Sequence, residues 1–332
     1  MKIVFIETES WQEKYLSQKL AGHELAFRSD ASLKDSDMDA EVLCTFLGYP
    51  VTAEVLAKMP NLKFIATRST GFDHIDLNAC SARQIGVANV PAYGENTVAE
   101  FTFALLLDLS RKIYPSIKQV REQASFATQP LMGFDLKDKT IGVVGTGHIG
   151  TYVVKIAHGF GMKILAYDPR PNGQLAAQYG FVYASLEELL KNSDIITLHV
   201  PYMPATHHLI NSENIKLIKP GSVLINTARG GLVDTKGLAW ALKQKILAGA
   251  GLDVLEEEGF IKEELHSMAM GHPNQDQLKV ILADHELMHM GNVVITPHNA
   301  FNTKEAVTRI LDTTVDNIQA FLEKKPVNLV KI

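Results

Sequence analysis

The stretch TIGVVGTGHIG, residues 140–150, decides the fold class of this chain. Its apolar first half is typical of a buried strand, and a helical pattern follows from Tyr152 to Phe160. In such a strand–turn–helix unit Gly145 permits a tight turn, Gly147 lets the backbone approach a pyrophosphate and Gly150 lets helix and strand pack closely. The stretch therefore predicts a dinucleotide-binding unit rather than a generic glycine-rich turn.

The next predicted strand, Lys163 to Asp168, ends on a carboxylate. Asp168 lies about 20 residues beyond the glycine-rich turn, where an acidic residue binds the ribose diol of NAD. The same charge would repel the 2′-phosphate of NADP, so NAD is the predicted cofactor. Arg170 follows two positions later and would soften that preference if its side chain turned toward the ribose.

Short apolar runs alternate with helical patterns along the rest of the chain, which is typical of parallel α/β sheets. Three strand candidates precede the glycine-rich turn: Lys2–Ile6, Glu41–Phe46 and Leu62–Arg68. A second series suits a dinucleotide-binding sheet and has six candidates: Thr140–Gly145, Lys163–Asp168, Asp194–Val200, Ser222–Thr227, Ala248–Val254 and Val293–Pro297.

Two longer stretches have the period of helices. Glu95 to Gln123 predicts a long helix with a break near Pro115. Thr303 to Leu322 predicts an amphipathic helix that closes back on the N-terminal domain.

Length and charge exclude several classes of protein. With 332 residues the chain is long enough for two domains. The balance of 32 Lys and Arg against 37 Asp and Glu, without a basic run, disfavours nucleic acid as a partner. No signal-peptide core or membrane span is predicted, so a cytoplasmic protein is expected. Cys44 and Cys80 form neither a disulfide framework nor a metal pair and are interpreted as small hydrophobic residues.

Polar residues at or just after the ends of later strands are the candidate catalytic groups, because open α/β sheets bind ligands there. Arg229 precedes a Gly-Gly pair, where a guanidinium can hold a carboxylate and a carbonyl oxygen together. His298 follows an apolar strand and could exchange a proton with an alkoxide. A nearby glutamate could orient its imidazole, but spacing does not choose among Glu256, Glu257 and Glu258.

At this point the sequence resembles the NAD-dependent D-2-hydroxyacid dehydrogenase family, and within it the D-lactate dehydrogenase branch. The resemblance covers nearly the whole chain. It rests on motifs in the family's order: Thr67–Asp76, Val90–Tyr93 with Val98–Glu100, Gly145–Gly150, His199–Pro201, Asn226–Gly230, Gly251–Asp253 and Thr296–His298.

The resemblance implies a fold and catalytic roles. The fold would be two doubly wound parallel-sheet domains: a Rossmann cofactor domain, residues 100–298, inserted in a flavodoxin-like substrate domain, residues 1–99 and 299–332. Arg229 would bind substrate and His298 would be the acid–base catalyst. In the family the acid lies five residues after the aspartate of the G-x-D segment, and counting from Asp253 makes Glu258 the partner of the histidine.

The resemblance also implies binding residues. The amides of Thr70 and Gly71 would receive the substrate carboxylate, while Tyr93 and Phe301 would shape the pocket beside the keto group and leave room for a methyl. The cofactor residues would be Gly145, Gly147, His148, Ile149, Gly150, Asp168, Val200, Pro201, Thr206, Thr227, Ala228, Arg229 and Asp253. Family members are commonly homodimers, and the helix after Glu95 would supply much of that interface.

The predicted reaction is reversible reduction of a short 2-keto acid, best pyruvate, to the D-hydroxy acid by NADH. Two alternatives stay open. Residues near Phe46 and Leu47 could border a pocket for branched or aromatic 2-keto acids, and a scaffold of this kind could instead serve as an NAD(H)-sensing corepressor. D-stereochemistry comes from the resemblance alone.

Some features are given no role in catalysis. The segment 259–292 is longer than a link between strands requires, and a comparable insertion occurs in the fermentative lactate branch. No bound metal is expected, although His285 and His289 would share one helix face. His207 and His208 are predicted to be a solvated loop pair.

Overall fold

The computed structural model describes residues 1–256, 258 and 275–331. Residues 259–274 of the predicted insertion therefore lie outside the described residues, as does Glu257. The chain forms two compact units, one of Met1–Tyr93 with Asn302–Ile332 and one of Gly94–Phe301. The predicted division at residues 99 and 100 would cut a helix that starts at Glu95, whereas the second unit begins just before that helix.

The first unit is built on a five-stranded parallel sheet with the order β2-β1-β3-β4-β5. Its core is formed by aliphatic residues on these strands and on the helices that flank them. The strands are β1 (Lys2–Phe5), β2 (Glu24–Phe27), β3 (Val42–Thr45), β4 (Phe64–Thr67) and β5 (Gly86–Ala88), and the helices are α1 (Ser10–Lys19), α2 (Ala53–Lys58), α3 (Leu77–Ala82) and the final α11 (Lys304–Leu322).

Helix α11 returns to the N-terminal residues, as its amphipathic pattern predicts. Phe321 stacks on Phe64 of β4 with ring centroids 4.4 Å apart. On the α1 side, the Tyr15 hydroxyl donates a hydrogen bond to an Asp312 carboxylate oxygen over 2.6 Å. The apolar stripe of α11 is buried in this unit, including Ile310, which is 3% exposed.

The second unit is built on a seven-stranded parallel sheet with the order β12-β11-β10-β9-β6-β7-β8. The order reverses at β6, which creates the switch point where such sheets bind ligands. The strands are β6 (Thr140–Val144), β7 (Lys163–Tyr167), β8 (Val182–Tyr183), β9 (Ile195–Leu198), β10 (Ser222–Asn226), β11 (Leu247–Leu252) and β12 (Val293–Ile295). The helices are α4 (Glu95–Arg111), α5 (Ile113–Gln123), α6 (His148–Gly159), α7 (Gly173–Tyr179), α8 (Leu186–Asn192), α9 (Thr235–Lys243) and α10 (Gln275–His289).

The prediction of two doubly wound parallel sheets is confirmed, with one strand more than the six predicted for the second sheet. The additional strand, β8, is an edge strand of two residues. A segment of that length is too short to show an alternating pattern, which explains why the sequence did not indicate it.

The predicted long helix breaks earlier than expected. Lys112 adopts a left-handed conformation, with φ +54°, and separates α4 from α5. Pro115 instead lies in the first turn of α5, where its missing N–H leaves no helical hydrogen bond unmade. The proline therefore marks the beginning of the second helix, and the break itself is at the lysine.

Among the described residues, no helix combines the length and the apolar character that crossing a bilayer requires. The two cysteines are both buried and unpaired. Burial raises the pKa of the Cys44 thiol to about 12 and that of Cys80 to about 11. Both thiols are therefore protonated at neutral pH and unreactive, consistent with a packing role.

Candidate active site

The glycine-rich turn after β6 is shaped for close backbone approach. Gly145 has φ +92°, and a Cβ at this position would lie 2.7 Å from the His199 carbonyl oxygen. A Cβ at Gly150 would collide with the carbonyl oxygen of Gly145, so the first turn of α6 requires glycine at this position. Around Gly147, by contrast, no atom lies within 4 Å of a built Cβ. The turn is therefore tight on its protein side and open at Gly147.

The first turn of α6 presents backbone donors at this opening. Thr151 is the first residue whose amide donates to a helix carbonyl, that of Gly147. Within the described part of the chain, the amides of His148 and Ile149 donate to no acceptor. Such amides, at the positive end of a helix dipole, are the groups that bind a pyrophosphate. The residues present therefore fit a dinucleotide.

Asp168 follows β7 and is oriented by its neighbours. One carboxylate oxygen accepts hydrogen bonds from the Thr146 amide, over 2.8 Å, and from its hydroxyl, over 3.1 Å. The other accepts from the amide of Arg170, over 2.8 Å. Because a carboxylate offers about four acceptor sites, lone pairs remain for the hydroxyls of a ribose. The contact of Arg170 with Asp168 is thus made by its backbone amide.

The loop after β9 carries Val200, Pro201 and Thr206, which the sequence predicts to line the cofactor. The Thr206 hydroxyl donates a hydrogen bond to the Pro201 carbonyl over 2.7 Å. This hydrogen bond closes the loop on itself. His199, at the start of this loop, is half-buried, and desolvation of its ring lowers its pKa to about 3. Its imidazole is therefore neutral at physiological pH and accepts or donates one hydrogen bond with Thr197 over 2.8 Å.

Arg229 lies on a turn directly after β10. The buried side chain of Asn226 folds this turn: its amide group donates to the Arg229 carbonyl over 2.9 Å and its oxygen accepts from the Ala228 amide over 3.1 Å. Thr227 is fixed from the other side by a 2.9 Å hydrogen bond with the Thr102 hydroxyl of α4. The half-buried Arg229 side chain donates from Nη1 to the Ala228 carbonyl over 2.8 Å.

His298 and Glu258 form a hydrogen-bonded pair in the second unit. His298 Nδ1 lies 2.8 Å from Glu258 Oε1, and the two side chains are 14% and 31% exposed. Because a carboxylate can only accept, Nδ1 carries the hydrogen and donates it. The other ring nitrogen, Nε2, is thereby defined as the one that can exchange a proton with a ligand.

The backbone at His298 is held in a conformation that residues other than glycine seldom adopt, with φ +52°. Asp253, buried at the end of β11, holds it there. Its carboxylate accepts from the Thr296 hydroxyl over 2.5 Å, and from the amides of Asn299 and Ala300 over 2.8 Å each. Burial raises the pKa of Asp253, against the lowering effect of these hydrogen bonds and of His298. The described contacts of Asp253 therefore position the backbone of His298.

The predicted carboxylate-binding residues lie in the first unit, on the loop after β4. The Thr70 hydroxyl donates to the Val90 carbonyl over 2.7 Å, and the Ser69 hydroxyl donates to the Gly71 carbonyl over 2.6 Å. The amides of Thr70 and Gly71 donate to no acceptor among the described residues. A loop fixed by its side chains, with two adjacent free amides, is chemically suited to a carboxylate.

The remaining predicted residues are half-buried aromatic residues, Tyr93 in the first unit and Phe301 in the second. The sequence did not assign roles to Asn226 or Thr146. A signal existed for the first, because Asn commonly bonds the backbone two residues ahead. For Thr146 no pattern predicts the contact with Asp168, which depends on the packing of β6 against β7.

Metal binding has no support in the described residues, where no group of three or more His, Cys, Asp or Glu side chains is arranged around a common point. His289 Nδ1 lies 2.7 Å from the His285 carbonyl and so makes a bond within its own helix.

Comparison with known proteins agrees with this geometry. The family model for "D-isomer specific 2-hydroxyacid dehydrogenase, NAD binding domain" matches residues 103–300. A 2-hydroxyacid dehydrogenase homolog of Zymomonas mobilis is 41% identical, over 90% of this chain and 89% of its own. A glyoxylate reductase of Thermococcus litoralis is 38% identical, over 88% of this chain and 84% of its own.

Among solved structures, D-lactate dehydrogenase from Aquifex aeolicus complexed with NAD and lactic acid superposes with a TM-score of 0.87. It is 38% identical, and the match covers 97% of this chain and 96% of that one. The second unit is thus an NAD-binding domain, and the chain belongs to the family of D-isomer-specific 2-hydroxyacid dehydrogenases.

Proposed function

We propose that this protein reduces a short 2-keto acid, with pyruvate as the leading candidate, to the D-2-hydroxy acid with NADH. The observation that carries the proposal is the His298–Glu258 hydrogen bond, on the same unit as the open glycine-rich turn. A positioned proton donor at the carboxyl end of a dinucleotide-binding sheet is what reduction of a carbonyl requires.

His298 supplies the proton. Glu258 accepts from Nδ1 and stabilises the protonated imidazole, so that Nε2 can donate to the carbonyl oxygen as negative charge develops there. Bound NADH supplies a hydride to the carbonyl carbon. The keto acid, NADH and one proton thus become the hydroxy acid and NAD⁺.

Binding and polarisation of the substrate fall to other groups. We assign the Arg229 guanidinium to the substrate carboxylate and carbonyl oxygen, because its fork can donate to both at once. The free amides of Thr70 and Gly71 are assigned to the carboxylate. Tyr93 and Phe301 are assigned to the carbon chain, where aromatic rings leave space for a small substituent.

NADH is proposed in preference to NADPH. Asp168 carries the negative charge at the end of β7, and its neighbour Arg170 contributes its amide to that carboxylate. A 2′-phosphate at this position would be repelled by the Asp168 carboxylate. The other proposed cofactor residues are the glycine-rich turn with His148 and Ile149, the loop residues Val200, Pro201 and Thr206, and Thr227, Ala228 and Asp253.

The test of the function is a substrate panel. NADH oxidation is followed with glyoxylate, pyruvate, 2-ketobutyrate, 2-ketoisocaproate and phenylpyruvate at matched concentrations, and substrates are ranked by kcat/KM. We expect a maximum at pyruvate, with a decline of roughly tenfold or more for branched chains, because a pocket discriminates one methylene by about 1–3 kcal/mol. Chiral analysis of the product tests the D configuration.

Other rankings would change the assignment. A maximum at glyoxylate would make the enzyme a glyoxylate reductase, the activity named for the Thermococcus relative. A maximum at branched or aromatic acids would mean that residues near Phe46 and Leu47 open the pocket. If NADH bound but no keto acid were reduced, the corepressor alternative would replace the enzyme.

A homodimer is proposed from helix α5. Ile113, Tyr114, Ile117 and Val120 are each more than 40% exposed and form an apolar stripe on this helix. Tyr114 also lines a cavity of about 480 Å³ whose other walls include Met288 and the apolar residues 293–295. An exposed contiguous apolar surface of this kind is typical of an interface.

Light scattering during gel filtration tests this interface. The wild-type chain is expected to elute as a dimer, and the double variant Ile117→Glu/Val120→Glu as a folded monomer, because two buried carboxylates are costly. Val182→Glu, at an exposed residue of edge strand β8, is the control and is expected to stay dimeric. A monomeric wild-type protein would contradict the proposal.

A further inference from the structure

A histidine in the loop between β9 and residue 210 makes a side-chain contact, with Glu256 after β11, to which catalysis assigns no role. His208 Nε2 lies 2.6 Å from Glu256 Oε1, and the two side chains are 31% and 13% exposed. The prediction that His207 and His208 are both solvated is therefore wrong for His208. Its partner could not be foreseen, because Glu256 is distant in sequence and was a candidate for the catalytic histidine instead.

Both oxygens of Glu256 have partners. The second oxygen accepts from the Thr235 hydroxyl over 2.9 Å and from its amide over 3.4 Å, at the beginning of α9. The carboxylate thus joins the loop that carries His208 to the helix that follows the Arg229 turn. A pair so enclosed is screened less by water than an exposed surface pair.

The pair spans the turn that carries Arg229. On one side of this turn the His208 amide donates to the Gly231 carbonyl over 2.8 Å. On the other side Gly230 is packed so closely on the Leu255 carbonyl that a side chain would collide with it. Residues 230 and 231 therefore lie between His208 and the Leu255–Glu256 backbone, and the His208–Glu256 contact closes a ring around them.

His208 holds this place at a cost in backbone energy. Its φ of +48° lies in the left-handed region, which is unfavourable for a residue other than glycine. The ring stacks on His207, with centroids 3.8 Å apart. An unfavourable conformation persists only where surrounding contacts determine it, and here these contacts include the 2.6 Å hydrogen bond with Glu256.

The same loop has a second attachment that does not depend on the pair. A Cβ at Gly231 would lie 2.7 Å from the Tyr202 ring, so the ring covers this glycine. The Tyr202 hydroxyl in turn lies 3.1 Å from His207 Nδ1. The cofactor loop would therefore remain attached through Tyr202 if the His208–Glu256 hydrogen bond were lost, whereas the ring around residues 230 and 231 would be open.

We propose that His208 and Glu256 form a positioning pair that fixes the Arg229 turn for keto-acid binding. The proposal rests on the function proposed above, since it assigns Arg229 to the substrate. Its effect is on the substrate side of the reaction: removal of either partner loosens the turn and leaves the glycine-rich turn and Asp168, where NADH is proposed to bind, unchanged.

The test is a double-mutant cycle with His208→Ala, Glu256→Ala and the double variant. Each single variant is expected to lower kcat/KM for the best keto acid by about tenfold, mainly through KM, and the double variant to be no worse than the poorer single variant. The Kd for NADH should change by less than about twofold, and Glu256→Gln, whose amide can still form one hydrogen bond with His208 and one with Thr235, should recover most of the loss.

A matched control separates positioning from stability. Lys219 and Asp194 form an ion pair in the same unit, with 2.7 Å between Nζ and Oδ1, before the strands β10 and β9 begin. This end of the sheet is opposite to the Arg229 turn. Lys219→Ala should reduce thermal stability while leaving kcat/KM within about twofold of wild type.

Hydrogen exchange provides a readout that needs no substrate. The Leu232 and Val233 amides donate to the Arg229 and Gly230 carbonyls, so their exchange reports the closure of the turn. Exchange should accelerate in His208→Ala and Glu256→Ala but not in Lys219→Ala. Unchanged exchange in the turn, or additive losses in the cycle, would overturn the positioning role. An inactive wild-type enzyme with accelerated exchange in the variants would overturn only the proposed function.

Discussion

Replacing His298 by Gln is expected to lower kcat for keto-acid reduction by roughly 10²–10⁴-fold, the contribution typical of general acid–base catalysis. Glutamine can fill part of the space and donate a hydrogen bond, but its amide does not release a proton near neutral pH. The alkoxide would then have to take its proton from water. Steady-state rates with pyruvate and saturating NADH measure the loss.

Two further variants locate that effect. Glu258→Gln retains an acceptor for Nδ1 but removes the charge that stabilises the imidazolium, so a smaller loss, about tenfold, is expected. His23→Gln replaces a half-buried histidine of the first unit and should be neutral. Fluorescence titration of NADH should give nearly equal affinities for all of them. Near-normal turnover of His298→Gln would exclude His298 as the acid–base catalyst.

Features that depend on neighbouring residues were predictable from the sequence. The glycine-rich turn is one, because its requirements are local: Gly145 needs φ +92° and Gly150 needs the absence of a side chain. Apolar runs likewise predicted the central strands, since strands covered on both faces by helices are continuously apolar. The family resemblance added the choice of Glu258, which the structure places against His298.

Features set by tertiary packing were not predictable. Glu256 and Glu258 are two residues apart and chemically identical, yet one contacts His208 and the other His298. The difference depends on which histidine the folded chain brings beside each carboxylate, and spacing does not encode it. The role of Asp253 was missed for a related reason, because its hydrogen bonds reach a loop that is distant in sequence.

Replacing Arg229 by Lys is expected to lower kcat/KM for pyruvate by roughly 10²–10⁴-fold. A hydrogen bond between charged groups typically contributes about 1.5–3 kcal/mol, and loss of two such bonds corresponds to a change of this size. Lysine preserves the charge but not the planar fork that donates to two oxygens in fixed directions. Initial rates over a range of pyruvate concentrations should show KM rising as well as kcat falling.

Arg83→Lys is the control for the loss of the guanidinium fork at a position outside the proposed substrate site. Arg83 also donates to a carbonyl, that of Met59 over 2.8 Å, but in the first unit beside α2 and α3. Its replacement should cost stability alone. The Arg229 turn, in contrast, is fixed by Asn226 and by the proposed His208–Glu256 pair. A guanidinium on this turn therefore loses little conformational entropy when it binds the substrate. If Arg229→Lys retained kcat/KM within about threefold, a simple positive charge would suffice, and the assigned two-oxygen contact would be wrong.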